Sequence, residues 1–248
     1  MELIGASVAG AFIGAILGFV GAGGAMLSVP ILMYIFDFTP HQATTAALAI
    51  VFLAAASGVI PKIRLKSVLY RDALVISGIG AITNIGFSSI SEHFSEKFIS
   101  TGFALVLTVA ALSMVRSPIK ADHRRMPLGV LILVSLTIGA MTGIFGIGGG
   151  FLAIPVLVLF FGTPQNIASG TSLLIISQNS LIALLAHQSQ WSSVSWSVPI
   201  AMAIGAVIVA QIASRIGHNA HPEVTRKAFA GLLLAISIFT LVKTWLIN

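Results

Sequence analysis

Two glycine runs stand out for the chemistry they permit: Gly21-Ala22-Gly23-Gly24-Ala25 and Gly146-Ile147-Gly148-Gly149-Gly150, each with a proline five residues on, at Pro30 and Pro155. Such a run breaks the helix before it and frees backbone N–H groups at the start of the next. Freed N–H groups combined with the positive end of a helix dipole suit an anion. The candidate substrate contacts from backbone are therefore Gly21, Gly23, Gly24, Gly146, Gly148, Gly149 and Gly150. Glycine also lets helices approach closely, and that reading competes for Gly14, Gly18, Gly139 and Gly143, which have helical spacing.

A second set is made of side chains. Thr171, Ser172, Ser177, Gln178 and Asn179 fall inside one otherwise apolar stretch. Thr171 and Gln178, like Ser172 and Asn179, are seven residues apart, so the four share a helical face of about two turns. Polar groups in an apolar helix contact a ligand, a cavity or another helix; in the last case each is worth roughly 0.5–2 kcal/mol. In the first half Thr44 and Thr45 begin the equivalent helix, and Asn84 sits inside the fourth segment. His187 closes the polar helix; with Arg64 and Arg71 it is a candidate for gating or coupling. His41, His93, His123, His218 and His221 fall in connectors. No Asp or Glu lies inside an apolar segment, Asp72 and Asp37 being the nearest, so a carboxylate proton relay has no member here.

The elements that must position these residues are membrane helices. Apolar residues make up 57% of the 248 and charged residues only 8%, against roughly a quarter charged in a soluble domain. Segments of about the length that crosses a bilayer recur throughout: 3–20, 25–36, 43–60, 73–90 and 98–115, then 128–146, 151–162, 168–186, 197–214 and 228–246. The segments 25–36 and 151–162 are too short for an upright span and suit half-helices entering the membrane. The first segment lacks a basic leader and reads as a retained span.

Sliding the second half onto the first by 125 residues aligns Gly14, Gly18, Gly21, Gly23 and Gly24 with Gly139, Gly143, Gly146, Gly148 and Gly149, and also Leu27 with Leu152, Pro30 with Pro155 and Phe36 with Phe161. Residues 1–120 and 121–248 therefore read as duplicated halves. The 61–72, 116–127 and 215–227 connectors hold eleven Lys and Arg, whereas 91–97 and 187–196 hold only Lys97. Basic connectors stay cytoplasmic, so equivalent connectors of the two halves face opposite sides and the repeats are inverted, with both chain termini external. Lys243 near the external end runs against the charge rule. The expected fold is an all-α polytopic membrane protein of two inverted repeats, each of about five helical segments, with a short broken or re-entrant helix after each glycine run.

Interrupted segments in corresponding places of two inverted halves point to a transporter site. The net charge of +6 lies in connectors, where it sets orientation, so no nucleic-acid partner is expected. With no cysteine, thiol chemistry is excluded; no cofactor or metal is expected, and no Gly-x-x-x-x-Gly-Lys loop is present for nucleotide. An intramembrane serine protease fits poorly, because Gly5-Ala6-Ser7-Val8-Ala9-Gly10 does not give Gly-x-Ser-x-Gly. A passive anion channel of the same architecture remains an alternative to a secondary transporter. The partners expected are a small anion, the lipid bilayer and, optionally, a second copy of the chain.

Gly146 to Gly150, Pro155 and Gly170-Thr171-Ser172-Leu173, continuing to Asn179-Ser180 and His187, together with Gly21 to Gly24, Pro30, His41 and the Ser57-Gly58 to Arg64 and Val68 stretch, resemble the TauE/SafE, or sulfite exporter, family. The first half departs where Ala46-Ala47 replaces Thr-Ser, so side-chain contacts are expected mainly from the second half. The resemblance implies transport of sulfite, sulfonates or related organosulfur anions, without enzymatic activity, across the cytoplasmic membrane of a prokaryote.

Overall fold

The computed structural model describes residues 1–91, 95–115, 127–145 and 150–247. Among these the regular structure is helical: α1 (Glu2–Val20), α2 (Gly24–Ile35), α3 (Pro40–Arg64), α4 (Tyr70–Ser91), α5 (Glu96–Val115), α6 (Leu128–Phe145), α7 (Gly150–Phe161), α8 (Gln165–Ala186), α9 (Ser197–Asn219) and α10 (Pro222–Val242). Six helices among the described residues are long and apolar enough to cross a membrane. The chain is an all-α polytopic membrane protein.

The burial pattern of α9 shows why water is the wrong solvent. Ile200, Ile204, Ile208, Ile212 and Ile216 form a four-residue ridge, each 54–57% exposed, while Met202, Ala206 and Ala210 on the opposite side are fully buried. Large apolar residues outside and small ones inside suit a helix that faces lipid and packs by close backbone approach.

That approach is made by glycine. A Cβ on Gly10, Gly14 or Gly18 of α1 would strike the backbone of Met202, Ala206 or Ala210 of α9, in matching four-residue steps, so the two helices run parallel and nearly backbone to backbone. Gly139 of α6 meets the backbone of Gly80 and the Thr83 hydroxyl of α4 in the same manner. The packing role is thus realised at Gly14, Gly18 and Gly139. Side-chain hydroxyls tie further pairs: Ser57 of α3 donates to Val207 O of α9 (2.8 Å), Ser214 of α9 to Gly58 O of α3 (2.7 Å), and Ser237 of α10 to Ala104 O of α5 (2.8 Å).

The connections sort into two ends. At one, the 65–69 turn meets α8 through Leu69 N donating to Thr171 Oγ1 (3.0 Å) and meets α9 where Ser67 Oγ lies 3.4 Å from His218 Nδ1. At the other, Gln42 Nε2 and Thr45 Oγ1 at the start of α3 donate to Ser193 O (2.6 Å) and Gln190 Oε1 (3.1 Å) of the 187–196 connector. Lys243 sits at that end too, 4.3 Å from the centre of the Tyr34 ring. The short helix α2 carries the chain back along α1, because Ile35 and Asp37 line one cavity with Glu2 and Gly5.

The links that follow the short helices share one backbone geometry. Asp37 has φ +56° and Gly162 φ +60°; the next residue donates back into the short helix, Phe38 N to Leu32 O (3.1 Å) and Thr163 N to Leu157 O (3.0 Å). All three pairs, Leu32 and Leu157, Asp37 and Gly162, Phe38 and Thr163, obey the 125-residue register.

Both boundaries of the third segment differ from the sequence expectation, with a consequence for the site. The third segment, expected over 43–60, extends over 40–64. It starts early because Pro40 opens the helix and Thr39 forms a capping box with Gln42, whose Oε1 accepts from Thr39 N (3.2 Å). It ends late because Pro61 is accommodated inside the helix, as membrane helices permit. Lys62, counted with the connector charges, therefore belongs to a packed helix.

Candidate functional site

The first glycine break has the backbone its composition demands. Gly21 (φ +88°) caps α1, donating its N–H to Leu17 O (2.8 Å), and Gly23 (φ +91°) opens α2. L-residues adopt these angles only at a cost. Gly21, Gly23 and Gly24 are all buried, and a Cβ on Gly21 would strike Ser169 of α8. The first break thus abuts the second turn of α8. Of the second run, Gly150 is the first residue of α7, and Gly146, Gly148 and Gly149 lie outside the described residues.

The helix α8 brings the polar side chains into the interior, with Thr171 and Ser172 fully buried. Thr171 is occupied in holding the fold: its hydroxyl accepts from Leu69 N (3.0 Å) and donates to Ile167 O (2.8 Å). Gln178 Oε1 and Asn179 Oδ1 are shut off from the surface and have no hydrogen-bond partner. Two further residues on α8 share this condition and were not picked out from sequence: Ser169 Oγ, and both amide atoms of Gln165. Gln165, Ser169, Ser172 and Asn179 recur at intervals of four, three and seven residues, so they follow one face. That spacing was the available signal; Gln165 and Ser169 lie just outside the apolar segment drawn from 168 or next to its start.

Thr171→Ala is expected to lower stability by about 1–3 kcal/mol, since Leu69 N–H loses its acceptor, and Thr171→Ser to restore it. Thermal unfolding in detergent reads this. The apparent KM for substrate stays unchanged if the threonine is only a strut, and a raised KM would return Thr171 to the substrate contacts.

The largest departure from the sequence reading is Lys62. It has no exposed surface, and its Nζ has no hydrogen-bond partner. Its carbonyl accepts from Ser67 N (2.8 Å), and a Cβ on Gly170 would lie 3.1 Å from the Lys62 Cβ. Gly170 is the residue after Ser169, so Lys62 packs against the same turn of α8 that the first glycine break touches. His218, placed in a connector by sequence, ends α9 and reaches this cluster through Ser67. Arg64 and Arg71 are exposed at this end of the bundle, with Arg71 beside Asp72 on α4. His187 lies at the opposite end, where its Nδ1 is 2.8 Å from Ala183 O. The structure thus sets Gly21 against Ser169 and Lys62 against Gly170 on one turn of α8, with Gln165 one turn earlier on the same helix, and leaves the three gating candidates outside the group.

The comparison with known proteins bears on the whole chain. The family model described as "Sulfite exporter TauE/SafE" matches residues 6–240. A protein of Xylella fastidiosa named "Probable membrane transporter protein" is 27% identical over 247 residues, 95% of this chain and 94% of its own. "Probable membrane transporter protein YunE" of Bacillus subtilis is 27% identical over 227 residues, 80% of this chain and 82% of its own. "Probable membrane transporter protein y4hK" of Sinorhizobium fredii is 28% identical over 224 residues, 86% and 89% of the two chains. No solved structure matches. With its glycine breaks, multi-pass helical architecture and a family match over nearly its full length, the chain belongs to the sulfite exporter TauE/SafE family.

Proposed function

We propose that this protein is a secondary transporter, not an enzyme, that moves a small sulfur-containing anion such as sulfite or a sulfonate by alternating access between its two halves. The observation that carries the reading is the set of buried polar atoms without partners on α8: Gln165, Ser169, Gln178 and Asn179. Each such group costs about 1–3 kcal/mol when left unmade, and a ligand passing along α8 would satisfy them in turn. The sulfur chemistry is supported by the description of the family.

Alternating access is supported by three correspondences in the 125-residue register. Glycine-lined packing joins α1 to α9 and α6 to α4, which exchange under the repeat. The helices α3 and α8 also exchange and pack against each other through Gly58 and Leu173, whose side chain would be 3.6 Å from a Cβ on Gly58. The links after α2 and α7 share their backbone. Arg64, Lys66 and Arg71 lie at the end where Ser67 meets His218 of α9, and because basic residues favour the cytoplasm this supports a cytoplasmic face there with both termini outside the inner membrane.

Asn179→Ala tests the reading in proteoliposomes given sulfite, thiosulfate, sulfoacetate or taurine. Uptake at sub-saturating substrate is expected to fall about tenfold, the loss of one hydrogen bond to a charged group, with thermal stability held or raised because an unmade buried group is removed. Wild-type uptake that never exceeds the external concentration under any ion gradient would favour a passive channel; uptake of none of the four would sink the proposal.

A further inference from the structure

Lys62 is a charged group for which the described residues offer no counter-charge. The seven carboxylates are Glu2, Asp37, Asp72, Glu92, Glu96, Asp122 and Glu223. Glu2 and Asp37 line a cavity at the far end of the bundle; Glu96 starts α5, whose Thr101 bonds Trp245 at that same far end. Asp72 follows Arg71 in the first turn of α4, and Glu223 pairs with Arg226 at 3.9 Å. Glu92 and Asp122 lie outside the described residues. No carboxylate among the described residues bonds Lys62, whose Nζ has neither partner nor solvent.

An isolated buried ammonium is among the costliest groups a fold can carry, and it persists where something supplies the opposite charge. The free polar groups on the adjoining turns of α8 are neutral. Gly170 lets the Lys62 stem press against α8, and on the same turn Ser169 Oγ is buried and free. One turn earlier Gln165 is buried with its amide free, and the start of α2 reaches Ser169 through Gly21. One cation, one hydroxyl and one amide, all unpartnered and contributed by α3 and α8, match an ion with a single compact charge and several acceptor oxygens. Lysine, a point charge rather than a planar fork, suits a pyramidal or tetrahedral head.

We propose that Lys62 is the residue that neutralises the charge of the bound oxyanion, in a site completed by Ser169 and Gln165 where the end of α3 meets the start of α8. This rests on the anion-transport reading and deepens it by fixing where the charge is held. It also orders the path: the anion meets its counter-ion at the end of the bundle that carries the basic connectors, and Gln178 and Asn179 lie two to three turns along α8 toward the other end.

The test uses the full chain in detergent and in proteoliposomes, with sulfite as probe. Wild-type protein is expected to unfold at a higher temperature with sulfite than without. Lys62→Met abolishes that shift and lowers sub-saturating sulfite uptake roughly ten- to hundredfold, the range for a hydrogen bond to a charged group, yet unfolds without sulfite at or above the wild-type temperature. Lys62→Arg keeps part of both, and Ser169→Ala weakens the shift while leaving the lysine in place. Lys62→Met or Lys62→Gln protein that responds to sulfite like wild type overturns the assignment. So does collapse of both variants, which would make Lys62 a structural residue. Wild-type protein that transports no sulfur anion fails the underlying reading instead.

Discussion

Replacing Gly14 by leucine is expected to abolish the folded transporter. A Cβ there would lie 2.8 Å from Ala206 Cα and 2.9 Å from its carbonyl carbon, and both are backbone atoms that cannot swing aside. Relief requires α1 and α9 to part, and they are joined in the same way at Gly10 with Met202 and Gly18 with Ala210. Overpacking a good contact costs about 1–3 kcal/mol. Separating two helices along three successive turns forfeits more, a large part of the roughly 5–15 kcal/mol that holds a domain. In membranes this loss is acute, since association rests on packing and not on water exclusion. The measurement is size-exclusion behaviour and thermal unfolding in detergent for Gly14→Leu and Gly14→Ala, with Gly5→Ala as control. Gly5 sits on the same helix with nothing within 4 Å of a Cβ, so alanine there should be neutral or stabilise by up to about 1 kcal/mol through helix propensity. One substitution type thus carries opposite signs nine residues apart. A monodisperse Gly14→Leu protein with wild-type unfolding would sink the account of the α1–α9 contact.

Gly21→Ala should remove most transport while leaving a weakened fold. Alanine at φ +88° costs about 1–2 kcal/mol in the left-handed region, and its Cβ would sit 2.8 Å from both Cα and Cβ of Ser169. Ser169 cannot yield without moving the turn of α8 that faces Lys62. Uptake of sulfite in proteoliposomes is therefore expected to drop at least tenfold, beyond what the lost folded fraction explains. Gly23→Ala provides the comparison: its φ of +91° carries the same strain, but the nearest atom to its Cβ is the tip of Leu232, Cδ2 at 2.9 Å, a flexible neighbour. Its transport loss should be clearly smaller. Equal losses at the two positions would assign the effect to backbone strain alone and remove Ser169 from the site.

Features governed by the chain's own backbone and by its average environment were legible in the residues. The membrane follows from 57% apolar and 8% charged composition. The glycine break follows from what glycine alone permits, and Gly21 and Gly23 adopt the left-handed angles expected of it. The links after α2 and α7 share their backbone geometry at positions 125 residues apart. At Asp37 the letters hid the match to Gly162, because aspartate is one of the few side chains that tolerates the left-handed region.

The tertiary structure alone decided which polar groups are left unsatisfied. Thr171 and Gln178 look alike on the helix face, yet Leu69 from a distant turn takes up the first, and nothing bonds Oε1 of the second. Lys62 reads as a connector charge beside Arg64 and Lys66, both of which are exposed, yet it has no exposed surface in the packed helix, where Gly170 approaches its Cβ and Ser67 N bonds its carbonyl. Backbone angle is a property of a residue and its immediate neighbours. Burial of a charge depends on which helices meet around it, and α3 and α8 meet across more than a hundred residues of chain.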